Sequence, residues 1–95
     1  MKAEALAHER HIIAEDVFAE IVVWRVPQQV KGSTHRLKYR LALVVAGTCV
    51  LRYDNEPGKG DHRHVGGAEA PYAFSSYERL LTDFWADVDA WRPHR

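Results

Sequence analysis

The stretch Arg36–Val45, RLKYRLALVV, decides the fold class because its side chains alternate along the chain. Apolar side chains stand at 37, 39, 41, 43 and 45, and basic side chains stand at 36, 38 and 40. Such alternation is typical of a β-strand with one buried and one exposed face. The stretch therefore predicts a half-buried strand whose outer face begins with a basic stripe.

Neighbouring segments predict further strands of the same sheet. Asp16–Val26 is dense in β-branched and aromatic residues and ends before Pro27, and Cys49–Asp54 follows the alternating stretch after a turn. His62–Val65 predicts a short strand or an extended segment. Residues 3–13 have no clear period and are interpreted either as a short strand or as a ragged turn of helix.

The turn at residues 46–48 determines which side chains of the following strand share a face with the alternating stretch. A two-residue turn would put Asp54 on the apolar face, since a shift of one residue exchanges the faces of a strand. A three-residue turn pairs Leu43 with Leu51 and Arg40 with Asp54. We predict the three-residue turn because it keeps one face apolar.

Residues 75–91 predict the helix. Ser75 and Glu78 match the Ser-x-x-Glu capping box, and Pro93 predicts the end of the helix. Apolar side chains recur at helical spacing at Tyr77, Leu80, Leu81, Phe84, Trp85, Val88 and Trp91. The predicted fold class is α+β, an antiparallel β-meander of about four or five strands with one C-terminal amphipathic helix packed on one face. We expect residues 1–95 to form a single domain.

The strand Asp16–Val26 is apolar on both of its sides, with Phe18, Val22 and Trp24 on one of them. One helix covers only one face of a sheet, so the second apolar side needs another cover. The N-terminal segment, a second copy of the chain and a different protein are the candidates.

Charge is unevenly distributed along a chain whose formal net charge is zero. Residues 31–64 contain seven Lys and Arg against three Asp and Glu, a formal charge of +4, and the remaining residues carry −4. A basic segment can attract a polyanion even in a neutral protein. A solvated charged surface explains the same pattern equally well.

The chain shows no sequence signal for a membrane or for secretion. No apolar stretch approaches the roughly 20 residues of a membrane span, and Met1–Ala5 lacks a long apolar segment of a signal peptide. We therefore expect a cytoplasmic protein without a membrane partner. Cys49, the single cysteine, lies among apolar residues and is predicted to be a buried, inert thiol.

The densest group of titratable side chains is Asp61-His62-Arg63-His64. In an extended segment His62 and His64 point the same way, which suits an acid and a base, and Asp54 or Asp61 is a candidate to orient one of them. Arg and Lys side chains hold phosphate and stabilise the charge that develops on it. The predicted catalytic residues are His62, His64, Asp54 and Arg52, and the predicted substrate-binding residues are Lys38, Arg40, Tyr53, Lys59 and Arg63. The alternative is that the histidines are exposed loop residues and that Asp54 and Asn55 cap a turn.

The His-x-His pair is a weak metal signature. A closed zinc site needs a full tetrahedral set of ligands, and only Asp54, Asp61, His11 and His35 are available to complete it. We predict no metal and no cofactor.

Four segments carry a resemblance to a known family: Glu20–Pro27, Lys38–Arg40, Arg52–Asn55 and Asp61–Gly66. Over about residues 4 to 91 the chain resembles the TumE-type toxins of bacterial and archaeal toxin–antitoxin modules. The Arg-Tyr-Asp-Asn and His-x-His segments are the specific part, and the loop between them, Glu56–Gly60, is shorter than is often found in the family and carries Lys59. The resemblance implies a toxin that cuts RNA and a helix-turn-helix antitoxin that binds DNA and neutralises the toxin.

Two functions stay open at this point. The first is a metal-independent endoribonuclease that cuts RNA with His62 and His64 as acid and base. The second is a non-catalytic binding module that pairs with a helix-turn-helix regulator through its uncovered apolar side. A second copy of the chain is a further candidate partner.

Overall fold

In the part of the chain that the structure describes, the fold consists of six antiparallel strands and one helix. The computed structural model describes residues 2–91, and Pro93, predicted to end the helix, lies outside them. The strands pair in chain order as one meander. The elements are β1 Glu4–Ala14, β2 Val17–Arg25, β3 Leu37–Val45, β4 Thr48–Glu56, β5 Gly60–Val65, β6 Ala68–Pro71 and α1 Tyr77–Trp91.

The α+β class, the antiparallel meander and the C-terminal helix are confirmed, whereas the predicted number of strands is wrong because the sheet has six. Residues 3–13 contain the edge strand β1 rather than a helix, and the segment after Gly66 and Gly67 forms the short strand β6. Strand β1 extends the sheet beside β2 instead of crossing its second side. The N-terminal segment is therefore not the missing cover.

The sheet buries one face against α1, and we call this the helix face. Leu80, Phe84 and Val88 of α1 are fully buried there. They pack with Val17, Ala19, Ile21, Val23, Leu37, Tyr39, Leu41, Leu43, Leu51 and Tyr53 of the sheet. Each large apolar side chain buried in this way contributes about 1.5–3 kcal/mol relative to an exposed one. The opposite face, which we call the open face, carries Phe18, Val22, Trp24, Lys38, Arg40, Arg52, Asp54, His62, His64 and Glu69.

The hairpin between β3 and β4 reaches the predicted pairing by a different route. Its turn holds two residues, Ala46 and Gly47, with φ angles of 49° and 80°, as a type I′ turn requires. A bulge at Val50 then restores the register, so Leu43 still pairs with Leu51. The predicted three-residue turn is wrong, and the predicted faces of β4 are confirmed from Leu51 onwards.

Cys49 is exposed, so the prediction of a buried thiol is wrong. It pairs with Val44 beside the turn, on the face that α1 leaves uncovered. Its thiol donates a hydrogen bond to the carbonyl of Leu51 at 3.4 Å.

Helix α1 begins one residue later than the predicted capping box implies. The hydroxyl of Ser76, not that of Ser75, accepts a hydrogen bond from the backbone N–H of Arg79 at 3.0 Å. This bond satisfies one of the N–H groups that have no partner within a helix. The apolar spacing still predicts the buried face of α1 correctly, since that face follows from the helical period and not from the position of the N-cap.

Candidate active site on the open face of the sheet

Strand β5 divides the cluster Asp61-His62-Arg63-His64 between the two faces of the sheet. His62 and His64 point to the open face, and Asp61 and Arg63 point to the helix face. In the β4–β5 register His62 lies opposite Asp54, and His64 lies opposite Arg52. The structure therefore brings together all four side chains that the sequence predicts as catalytic.

His64 contacts the guanidinium of Arg52 directly. Arg52 Nη2 lies 3.1 Å from His64 Nε2, and because arginine only donates, this contact uses the lone pair of the ring nitrogen. The bond assigns the proton of the neutral ring to Nδ1. Arg52 Nε also lies 3.2 Å from Asp54 Oδ2, but its N–H is not aligned for a hydrogen bond, so Asp54 holds Arg52 mainly by charge. Asp54 Oδ1 lies 3.7 Å from His64 Nε2, so Asp54 is a neighbour of His64 as well.

His62 has the opposite arrangement. Its Nδ1 donates to the carbonyl of Gly60 at 3.2 Å, and its Nε2 lies 3.9 Å from Glu69 Oε2 on β6. The same Glu69 oxygen lies 3.4 Å from Lys59 Nζ and 3.5 Å from His64 Nε2. Burial alone would raise the pKa of Glu69, but the hydrogen bond from Lys59 and the charges of Lys59 and the histidines lower it.

Glu69 belongs to the site, and the sequence interpretation missed it. A signal for it exists, because Gly66 and Gly67 separate His64 from Glu69 as a two-residue hairpin turn does. That turn pairs Val65 with Ala68 and therefore His64 with Glu69.

Lys38 and Arg40 lie on the open face beside this group. Arg40 pairs with Asp54 in the sheet register, and its guanidinium lies 3.7 Å from Glu20, with about half of the side chain exposed. Lys38 donates to the backbone carbonyl of Asn55. Both cations extend the positive surface from β4 to β3.

Arg63 and Tyr53, predicted to bind substrate, are not brought to this site. Both lie on the helix face, where Arg63 Nε donates to Asp87 of α1 at 2.7 Å and the Tyr53 hydroxyl donates to the same carboxylate. The hydrogen bond to Asp87 raises the pKa of Arg63, and burial followed by the bond to Asp87 raises the pKa of Tyr53. These two residues attach α1 to the sheet.

Asp61 likewise serves the helix face and does not orient His62 or His64. It accepts hydrogen bonds from Ser33 Oγ at 2.6 Å, Tyr39 Oη at 2.6 Å and His35 Nε2 at 2.7 Å. Burial would raise the pKa of Asp61, but these three donors together lower it. His35 Nδ1 accepts from the backbone N–H of Leu37 at 3.1 Å, so both ring nitrogens of His35 are engaged and the ring is a structural one.

A comparison with known protein families shows to which family the chain belongs. A family model described as toxin TumE matches residues 2–92. The chain belongs to the TumE toxin family. Membership indicates the toxin component of a toxin–antitoxin module, for which an antitoxin is a partner. No curated protein and no solved structure matches the chain at a significant level.

Residues 2–91 contain no preformed metal centre, since no three His, Cys, Asp or Glu side chains converge there in a ligating arrangement. The helical part of the same residues offers no segment with the length and apolarity to cross a membrane. The chemistry that remains visible is a pair of imidazoles, a buried carboxylate and several cations on one surface. Such a set can exchange protons and hold phosphate.

Proposed function

We propose that this TumE-family chain is a toxin that cuts RNA on the open face of its sheet without a metal, in the cytoplasm. The observation that carries the proposal is the pair His62 and His64, which lie next to each other in space with different hydrogen-bond partners. Arg52 donates to Nε2 of His64, whereas Nδ1 of His62 donates to the carbonyl of Gly60, and Glu69 lies beside both rings. Different surroundings are what an acid and a base require of two like residues.

His64 is the proposed base and His62 the proposed acid. Arg52 donates to His64 Nε2, which is therefore the unprotonated nitrogen that a base needs, whereas His62 donates from Nδ1 to the carbonyl of Gly60 and turns its Nε2 towards the open face. His64 takes the proton of a ribose 2′-hydroxyl, the 2′-oxygen attacks the adjacent phosphorus, and the bond from phosphorus to the 5′-oxygen breaks. His62 gives its proton to that leaving oxygen. The products are a 2′,3′-cyclic phosphate and a 5′-hydroxyl, so protons and electrons balance within the pair.

Arg52 is the residue best suited to stabilise the charge that builds on the phosphoryl oxygens. It contacts His64 and Asp54, and its side chain is about one third exposed, so a phosphate can reach it. Arg40, Lys38 and Lys59 would bind flanking phosphates. The open face carries Arg10, Lys38, Arg40, Arg52 and Lys59 against Glu20, Asp54 and Glu69, an excess of positive charge that favours a polyanion.

RNA cleavage in the presence of EDTA tests the proposal. We expect the parent protein to cut a labelled RNA, and we expect His62→Ala and His64→Ala each to lower the rate by at least about 100-fold, the usual contribution of an acid or a base. His8→Ala is the matched control, since His8 lies on the open face of β1 away from the cluster. This variant should cleave RNA like the parent.

A substrate with deoxyribose at the cut position provides a second control. It lacks the 2′-hydroxyl, so it should resist cleavage while still binding. Expression in a bacterium should give growth arrest with broken RNA for the parent only. Cleavage by the His62→Ala/His64→Ala double variant at the rate of the parent, or cleavage that EDTA abolishes, contradicts the mechanism.

Binding without catalysis is the second candidate function, and the apolar side of β2 favours it. Phe18 and Val22 are half-buried and Trp24 is 38% exposed on the open face, where α1 does not reach. In this second proposal, a helix-turn-helix antitoxin or a second copy of the chain binds to this surface. If binding is the whole function, Trp24→Ala abolishes assembly in a co-purification assay, while the histidine variants leave both assembly and growth arrest unchanged.

A further inference from the structure

Glu69 occupies a position that a phosphate oxygen would suit. One atom, Oε2, lies 3.4 Å from Lys59 Nζ, 3.5 Å from His64 Nε2 and 3.9 Å from His62 Nε2. A lysine and two imidazoles, each of which donates from Nε2 when its ring is protonated, surround this single anionic oxygen, and such donors are ones that proteins offer to phosphate. The two histidine nitrogens are also those through which the proposed mechanism exchanges protons.

Glu69 is placed so that it can leave this position. It belongs to β6, a short edge strand whose residues are all exposed, and 38% of its side chain is accessible. Asp54, the other carboxylate of the site, is only 12% exposed and is held beside Arg52. Ion pairs of exposed side chains are weak, so a rotation of Glu69 into water costs little.

We propose that Lys59, His62 and His64 form an anion-binding site for one phosphate group of a nucleic acid, and that the carboxylate of Glu69 fills this site until the phosphate displaces it. The inference rests on the proposed function, because it names where the substrate phosphate binds. The lowered pKa of Glu69 supports it, since the carboxylate remains charged and competes with phosphate throughout the neutral range. Glu69 then sets the affinity for substrate and takes no part in bond breaking.

Glu69→Gln tests the proposal because it removes the charge and keeps the size of the side chain. The probes are inorganic phosphate and an all-deoxyribose oligonucleotide, which cannot be cleaved through a 2′-hydroxyl. We expect both probes to bind the Glu69→Gln variant about two- to fivefold more tightly than they bind the parent, because the variant lacks the exposed ion pairs that compete with the anion. The shifts of the His62 and His64 ring signals in NMR titrations report the dissociation constant at the site itself.

Two variants control for the change in net charge and for the length of the charged side chain. Glu78→Gln makes the same change of charge on the exposed first turn of α1 and should bind like the parent. Glu69→Asp keeps the charge on a shorter side chain and should bind with intermediate affinity. The gain from Glu69→Gln should shrink at high salt, because added ions screen the same contacts.

Unchanged or weaker binding by Glu69→Gln refutes the inference, since Glu69 would then orient the histidines instead of competing with a ligand. Tighter binding of phosphate without tighter binding of the oligonucleotide assigns the site to free phosphate. The RNA cleavage assay is separate from these titrations. Tighter binding without any cleavage would leave the anion site standing and refute the nuclease, whereas cleavage with unchanged binding would do the reverse.

Discussion

Replacing Asp61 by alanine removes the one acceptor shared by three partly buried donors, on Ser33, His35 and Tyr39. The Asp61 side chain is 7% exposed and Tyr39 is 1% exposed, so water does not readily take the place of the carboxylate. A hydrogen bond to a charged acceptor contributes about 1.5–3 kcal/mol, and a stranded buried donor costs about 1–3 kcal/mol. The three terms overlap, and a cavity of about 420 Å³ beside Asp61 admits some water. We expect a net loss of about 3–5 kcal/mol, which lowers Tm by about 15–30 °C in a chain of this length.

A double-mutant cycle with Tyr39→Phe shows whether this loss arises from the network. Tyr39→Phe alone deletes one donor and should cost about 1–2 kcal/mol. In the Asp61→Ala background the same change removes a stranded hydroxyl, so its cost should fall by at least about 1 kcal/mol. Urea unfolding at neutral pH, followed by tryptophan fluorescence, measures all four free energies. A loss below about 1 kcal/mol for Asp61→Ala, or additive effects of the two changes, would refute the reasoning.

Three further outcomes are expected. Ala46→Asn should raise the free energy of unfolding by about 0.5–1 kcal/mol, because asparagine tolerates the positive φ beside Gly47; a decrease would contradict the type I′ turn. The pKa values of Asp61 and Asp87 lie below the usual 3.8. Their contribution to stability is therefore full above that pH and is lost as the pH falls through the folded-state pKa values. Circular dichroism in an acid titration should show unfolding that begins only below pH 3.8. Arg63→Ala should cost about 1 kcal/mol in urea unfolding, since the pair with Asp87 is partly exposed, and should leave oligonucleotide binding unchanged; weakened binding would return Arg63 to the site.

The parts of the fold that follow from side-chain alternation can be predicted from the sequence. Arg40 lies opposite Asp54 as predicted, because burying one face of a sheet leaves no freedom in the register. Strand β6 is hard to predict, since Ala68–Pro71 has no apolar run. Its sequence signal is the pair Gly66–Gly67, which is typical of a hairpin turn. The network of Asp61 could not be predicted either, because its donors come from a loop and a strand far away in the sequence.

Arg63 is a different case, because the sequence already contained the information that places it on the face opposite His62 and His64. Side chains of a strand alternate, so any argument that puts His62 and His64 on one face puts Arg63 on the other. The same argument removes Tyr53, which pairs with Leu41 of the apolar face. Chemical type suggested a phosphate ligand at both positions, and strand geometry places both side chains on the face opposite the histidines.

Alternation along β5 also explains why so many titratable groups stand in one short segment. Asp61 is bonded to Ser33, His35 and Tyr39, and Arg63 is bonded to α1, so two of the four side chains fix the strand to the rest of the fold. His62 and His64 therefore project from a strand whose opposite face is attached to the rest of the fold through the neighbouring residues. Catalytic groups must be held to within about 0.5 Å, and side chains on an anchored strand meet this demand better than side chains on a loop. It follows that the loss of the Asp61 network should displace the histidines even where the fold survives, so Asp61 would affect the proposed cleavage without touching RNA.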